Sequence, residues 1–156
     1  YTIIPLWAAS IVLIFYSFWY YPIPPYISRF MGLVTNQTNT ESYRATFGSS
    51  VNRTYNLSQF ILETTPLDQS IFVWKDSAPV YALSRHLPPH KYTAGYHIDD
   101  FSSAVETVKT LEKTLPSMII LLPEAPTIPN LSPLLGAKYY LLQTIDGAEV
   151  WKKRTS

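Results

Sequence analysis

The alternation of apolar and polar positions divides this chain sharply. Thr2–Tyr21 runs for twenty residues without a charge and is apolar on every helical face. At about 1.5 Å per residue such a helix reaches roughly 30 Å, the thickness of a bilayer's hydrocarbon core, so the pattern predicts a transmembrane helix. Trp7 near one end and Trp19, Tyr20 and Tyr21 at the other match the amphipathic rings that settle at membrane interfaces. Pro22–Tyr26, with three prolines, predicts the helix stop and a stiff exit. Phe30–Thr46, rich in Thr, Asn and Ser, predicts an irregular linker.

Past the linker the periods become those of a compact α/β domain. Asn52–Thr64 carries a partial helical stripe closed by Pro66. Ser70–Trp74 and Met118–Leu122 are short apolar runs of the kind buried in central strands. Ala78–Ser84 reads as a short helix, and the aromatic-rich Tyr92–Ile98 as a strand. Asp100 or Ser102 caps a helix through Thr114, whose apolar positions Ala104, Val105, Val108, Leu111 and Leu115 follow the spacing of a helical face. Pro123–Pro133 is a proline-rich loop, with one helical turn around Ser132–Leu135. Ala137–Gln143 and Ala148–Lys153 flank Asp146-Gly147, a hairpin signal because a type I′ turn needs positive φ at both central residues. The expected fold class is therefore α/β: an N-terminal transmembrane helix, then a small three-layer α/β domain with a mostly parallel sheet and a C-terminal β-hairpin. The expected divisions are 1–28 for the transmembrane helix and its Pro-rich exit, 29–50 for the linker, and 51–156 for the soluble domain.

Composition sharpens this division. None of the 12 basic and 11 acidic residues precedes Arg29, and the net charge is +1 with both signs interspersed. A nucleic-acid partner, which calls for a clustered basic face, is not expected. There is no cysteine, which excludes disulfides and thiolate metal sites. The chain opens on Tyr1 and reads as a piece of a longer protein. Asn-X-Ser/Thr sequons begin at Asn36, Asn52, Asn56 and Asn130, and matter only on a eukaryotic secretory route.

The candidate chemistry gathers behind the first strand, at the sheet edge where open α/β folds place their ligands. Asp76 lies just beyond that strand, Tyr81 and Arg85 are four apart on the next helix, and Tyr96-His97 follow in the aromatic run. Aromatic faces with one carboxylate and one guanidinium suit a sugar or a lipid phosphate. The competing reading makes Asp76 a helix cap and the tyrosines core. His86 and His90 have the i, i+4 spacing of zinc helices, but Pro88-Pro89 interrupts any such helix, so no metal site is expected. Asp99-Asp100 reads as capping, Ser84 lacks a glycine-flanked elbow, and no glycine loop could cradle a phosphate.

The run from Phe72 to Tyr92, with Trp74, Pro79, Tyr81, Leu83-Ser84-Arg85 and Pro88-Pro89, resembles a segment in the C-terminal soluble part of prokaryotic polytopic glycosyltransferases. These form the dolichyl-phosphate-mannose–protein mannosyltransferase-like superfamily, which includes the aminoarabinose–lipid A transferases. Tyr43, Phe47-Gly48 and a helix ending near Thr65-Pro66 fit the same order. Lys75 stands where glycine is common, and the glycine before Arg85 is missing. The resemblance implies a C-terminal accessory domain of a multi-pass enzyme that moves a sugar from a polyprenyl-phosphate donor to a lipid or protein acceptor. It implies a cell-membrane location with the soluble domain extracytoplasmic. The implied partners are the lipid bilayer, the upstream transmembrane helices, the lipid-linked sugar and its acceptor. Catalytic residues and any divalent metal would lie in the upstream membrane part, so this segment is expected to hold no catalytic residue and no cofactor. The alternatives are a non-catalytic membrane-anchored α/β binding module and a self-contained enzyme using Asp76, Arg85 and His97.

Overall fold

The computed structural model describes residues 3–15, 23–75 and 78–155. It divides into two compact units, Tyr1–Gly48 and Ser49–Ser156.

The first unit holds helices α1 (Ile3–Phe15), α2 (Ile23–Val34) and α3 (Thr40–Ala45). The expected transmembrane helix is overturned here. α1 has 13 residues, about 20 Å at 1.5 Å per residue, well short of the roughly 30 Å a span needs. Among the described residues no helix is long and apolar enough to cross a membrane. That expectation rests on a twenty-residue apolar run with aromatic rings at both ends, of which the described helix takes in only Ile3–Phe15. Trp7 is exposed on α1, whereas Trp19, Tyr20 and Tyr21 lie outside the described residues.

Much of the expected exit and linker is helical. Pro24 and Pro25 fall in the first turn of α2, where a missing N–H costs little because those donors have no intrahelical partner. Ile23, Tyr26, Ile27, Phe30, Met31 and Val34 make a stripe at helical spacing, all exposed. Asn39 caps α3 by accepting from the Ser42 N–H at 2.7 Å.

In the second unit the order is α4 (Ser49–Thr64), β1 (Ile71–Trp74), α5 (Ala78–Ser84), α6 (Gly95–Phe101), α7 (Ala104–Thr114), β2 (Met118–Leu121), α8 (Leu131–Lys138), β3 (Tyr139–Ile145) and β4 (Ala148–Lys153). The sheet order is β1-β2-β4-β3. β1 and β2 pair in parallel, whereas β2–β4 and β3–β4 are antiparallel. The sheet is thus mixed, not mostly parallel. The reason lies at 92–98: the expected second parallel strand is replaced by α6. Gly95 and Ile98, three apart, are both buried, a helical spacing that strand alternation would not give, and it outweighs the β preference of the neighbouring rings. Asp146 and Gly147 turn the β3–β4 hairpin with positive φ at both positions.

Side-chain alternation along the strands builds a core on each face of the sheet. Ile71, Val73, Met118, Ile120 and Val150 meet Leu57 and Ile61 of α4 and Val80 and Tyr81 of α5. On the other face Phe72, Trp74 and Ile119 meet Ile98, Val108, Leu111 and Leu135. Each fully buried aliphatic side chain here contributes about 1.5–3 kcal/mol. Three layers result: α4 and α5, the sheet, then α6, α7 and α8. Ser103, one residue past the expected cap, caps α7 by accepting from the Glu106 N–H at 3.1 Å.

The outer side of β1 is covered by its own downstream chain. The Ile71 N–H donates to the Leu87 carbonyl at 3.2 Å, and the Val73 N–H donates to the Tyr81 hydroxyl at 2.8 Å. Donors that would otherwise invite another strand are thereby consumed.

Candidate ligand-binding face

The four described candidates, Tyr81, Arg85, Tyr96 and His97, do not converge on one site. Asp76 lies outside the described residues. Tyr81 is 5% exposed, its hydroxyl is occupied by the Val73 N–H, and burial pushes its phenol above the ordinary range. It is a pillar of the sheet edge. Arg85 follows α5 in the left-handed region at φ 58 and is exposed. It lines a hollow of about 370 Å³ with Tyr81, His86 and Leu87.

Tyr96 and His97 belong to a different grouping, an array of rings that starts in the core and ends in solvent. Phe72 and Trp74 of β1 stack at 6.2 Å. His90 meets the edge of Phe72 at 5.4 Å and lies 6.2 Å from Tyr92. Tyr92, His97 and Phe101 then form a triangle with centroids 6.4, 6.3 and 6.2 Å apart. Tyr96 sits edge-on to His97 at 4.2 Å. These separations lie within or near the range of favourable ring pairs. Lys91 Nζ sits 4.9 Å from the Tyr92 centroid, within cation–π range.

Local chemistry fixes the inner end of this array. The Tyr92 N–H donates to His90 Nδ1 at 3.1 Å, and the Tyr92 hydroxyl donates to the Phe101 carbonyl at 3.3 Å. Burial holds the His90 imidazole below its usual range, outweighing its backbone hydrogen bonds. Its Nε2 is buried without a partner. The outer end is open: Tyr96 is 53% exposed and Phe101 68%. What results is a half-exposed aromatic face with a cation at its margin, suited to stacking on an apolar ring face or a sugar ring.

Tyr92, Phe101 and Lys91 were not among the candidates. His97 and Phe101 lie about one turn apart on α6, and both rings reach Tyr92. A strand at 92–98 would send Tyr96 and His97 to opposite faces, so the β reading concealed the cluster.

His86 is buried between two backbone carbonyls, with Nδ1 2.6 Å from the Ser84 oxygen and Nε2 3.1 Å from that of Pro66. It ties the end of α5 to the loop after α4. Among the described residues no group of three or more His, Asp or Glu side chains could hold a metal ion. Asp99 and Asp100 are exposed within α6 and cap nothing. No family model matches the chain, and neither a curated protein nor a solved structure does.

Proposed function

We propose that this chain is a membrane-associated accessory domain of a glycosyltransferase that uses a polyprenyl-phosphate sugar, and that its second unit holds an acceptor glycan. The observation that carries the glycan part is the half-exposed ring face of Tyr92, Tyr96, His97 and Phe101. Pyranose rings present apolar C–H faces that stack on aromatic side chains, and hydroxyls that take polar contacts at the rim. Lys91 supplies such a contact. The catalytic groups and any divalent metal belong to the upstream membrane part in this reading. The Pro79–Tyr81–Arg85–Pro88 pattern supports the glycosyltransferase assignment. The exposed apolar faces of α1 and α2 support attachment to a lipid surface or to neighbouring helices, with no described helix crossing the bilayer.

The test is a titration of the full chain with short manno- and gluco-oligosaccharides, followed by NMR of the aromatic and histidine side chains. Dissociation constants in the millimolar range are expected, with shifts confined to Tyr92, Tyr96, His97 and Phe101. The double variant Tyr96→Ala, Phe101→Ala should fold normally, since both rings are exposed, and should lose the shifts. Unmoved ring signals at tens of millimolar sugar, or shifts that survive the double variant, would refute the glycan reading.

A further inference from the structure

At the end of the sheet where β1 and β2 begin and β4 finishes, a cleft of about 630 Å³ opens between the ends of α4 and α7. Its lining carries three cations in a row, Lys152, Lys153 and Arg154, and no acidic residue. We infer that this cleft is a binding site for a small phosphorylated ligand carrying a phosphomonoester or diphosphate group.

Placement of the cations carries the inference. β4 alternates its side chains, so Lys152 follows Val150 onto one face of the sheet and Lys153 follows Trp151 onto the other. Their charges therefore flank the sheet's end from both sides. Arg154 is anchored: its Nε donates to the Tyr139 carbonyl at 3.0 Å, and its guanidinium lies 6.0 Å from the Tyr140 centroid. That contact uses one of five N–H groups and leaves the rest of the planar fork, the geometry that grips phosphate in pairs.

The cations are not spoken for. None of the three makes an ion pair with a described residue, and the Arg53–Glu124 salt bridge lies elsewhere in the unit. Three backbone acceptors at this end are already used. The Ser70 carbonyl takes the Ser117 N–H and hydroxyl, and the Ser117 carbonyl takes the Lys153 N–H. The Pro116 carbonyl takes the Tyr139 hydroxyl. Three like charges in one cleft repel, and a multivalent anion is the ligand class that relieves this. The volume falls within the range of small-molecule sites. This site is at the other end of β1 from the loop leading into α5 and does not depend on the glycan reading.

The experiment is calorimetric titration of the full chain with inorganic pyrophosphate at low ionic strength, beside co-sedimentation with phosphatidylcholine vesicles with and without phosphatidic acid. Saturable pyrophosphate binding that weakens about tenfold or more in the variant Lys152→Gln, Lys153→Gln, Arg154→Gln would establish a soluble phosphorylated ligand. Binding confined to phosphatidic acid vesicles, with the same loss, would place the phosphate on a lipid headgroup. Lys153 is exposed, so Lys153→Gln alone keeps the fold and should weaken binding several-fold. Absence of binding to both probes, or binding unchanged by the triple variant, overturns the inference. Neither result bears on oligosaccharide shifts at Tyr96 and Phe101.

Discussion

Replacing Tyr81 by Phe separates a sheet-edge pillar from a ligand contact. The substitution removes one oxygen and keeps the ring. In the folded chain that oxygen accepts the Val73 N–H at 2.8 Å, and Val73 is only 3% exposed. Without it a backbone donor stays buried beside an apolar ring. A stranded donor of this kind costs about 1–3 kcal/mol, and the buried setting argues for about 2 kcal/mol. For a unit of this size a loss of 1 kcal/mol lowers Tm by about 4 °C, so Tyr81→Phe should melt roughly 8 °C lower. Urea unfolding should show the same loss as a lower midpoint at unchanged slope, and the Val73 amide should exchange faster with solvent. A melt within about 2 °C of wild type, with the Val73 amide equally protected, would refute the argument. The same phenol has a pH signature. Burial raises Tyr81, and likewise Tyr139, above the ordinary range. Above about pH 10 the unfolded chain releases these protons while the folded chain retains them, so stability falls as pH rises. Tyr81→Phe should make that alkaline decline shallower.

His90 has the opposite sign. Burial depresses its folded value, so its contribution is present above the ordinary histidine range and is lost as pH falls through the depressed value. His90→Phe should keep the packing on Phe72 and Tyr92 while flattening the acid side of urea midpoints between about pH 7 and pH 5; an unchanged slope would contradict this. Ser103→Ala removes the side-chain acceptor for the Glu106 N–H and should cost about 1 kcal/mol in thermal melts followed by circular dichroism, with Ser103→Asp close to neutral. An alanine variant as stable as wild type would show that another group caps α7.

Local signals in the sequence determined those elements whose cause is local. β1 and β2 are short apolar runs that can only be buried, and the hairpin follows from Asp146-Gly147, whose positive φ angles few other pairs accept. The period of Val108 and Leu111 marks α7 and its buried face. Other features rested on contacts between distant residues. Residues 92–98 carry β-prone rings, yet Gly95–Phe101 forms α6, which packs Ile98 into the core of Phe72, Trp74 and Ile119. That change cost the sheet a parallel strand and set the rings of His97 and Phe101 beside Tyr92. Tyr81 was legible as a polar aromatic near a strand end, but only pairing with Val73 turned it from candidate contact to support. Helix length was the other limit. The apolarity of residues 2–21 is plain in the sequence, but among the described residues it does not produce a helix long and apolar enough to cross a membrane. The cleft of Lys152, Lys153 and Arg154 exists because β4 ends beside the starts of β1 and β2, a juxtaposition set by the sheet order, which local pattern alone cannot specify.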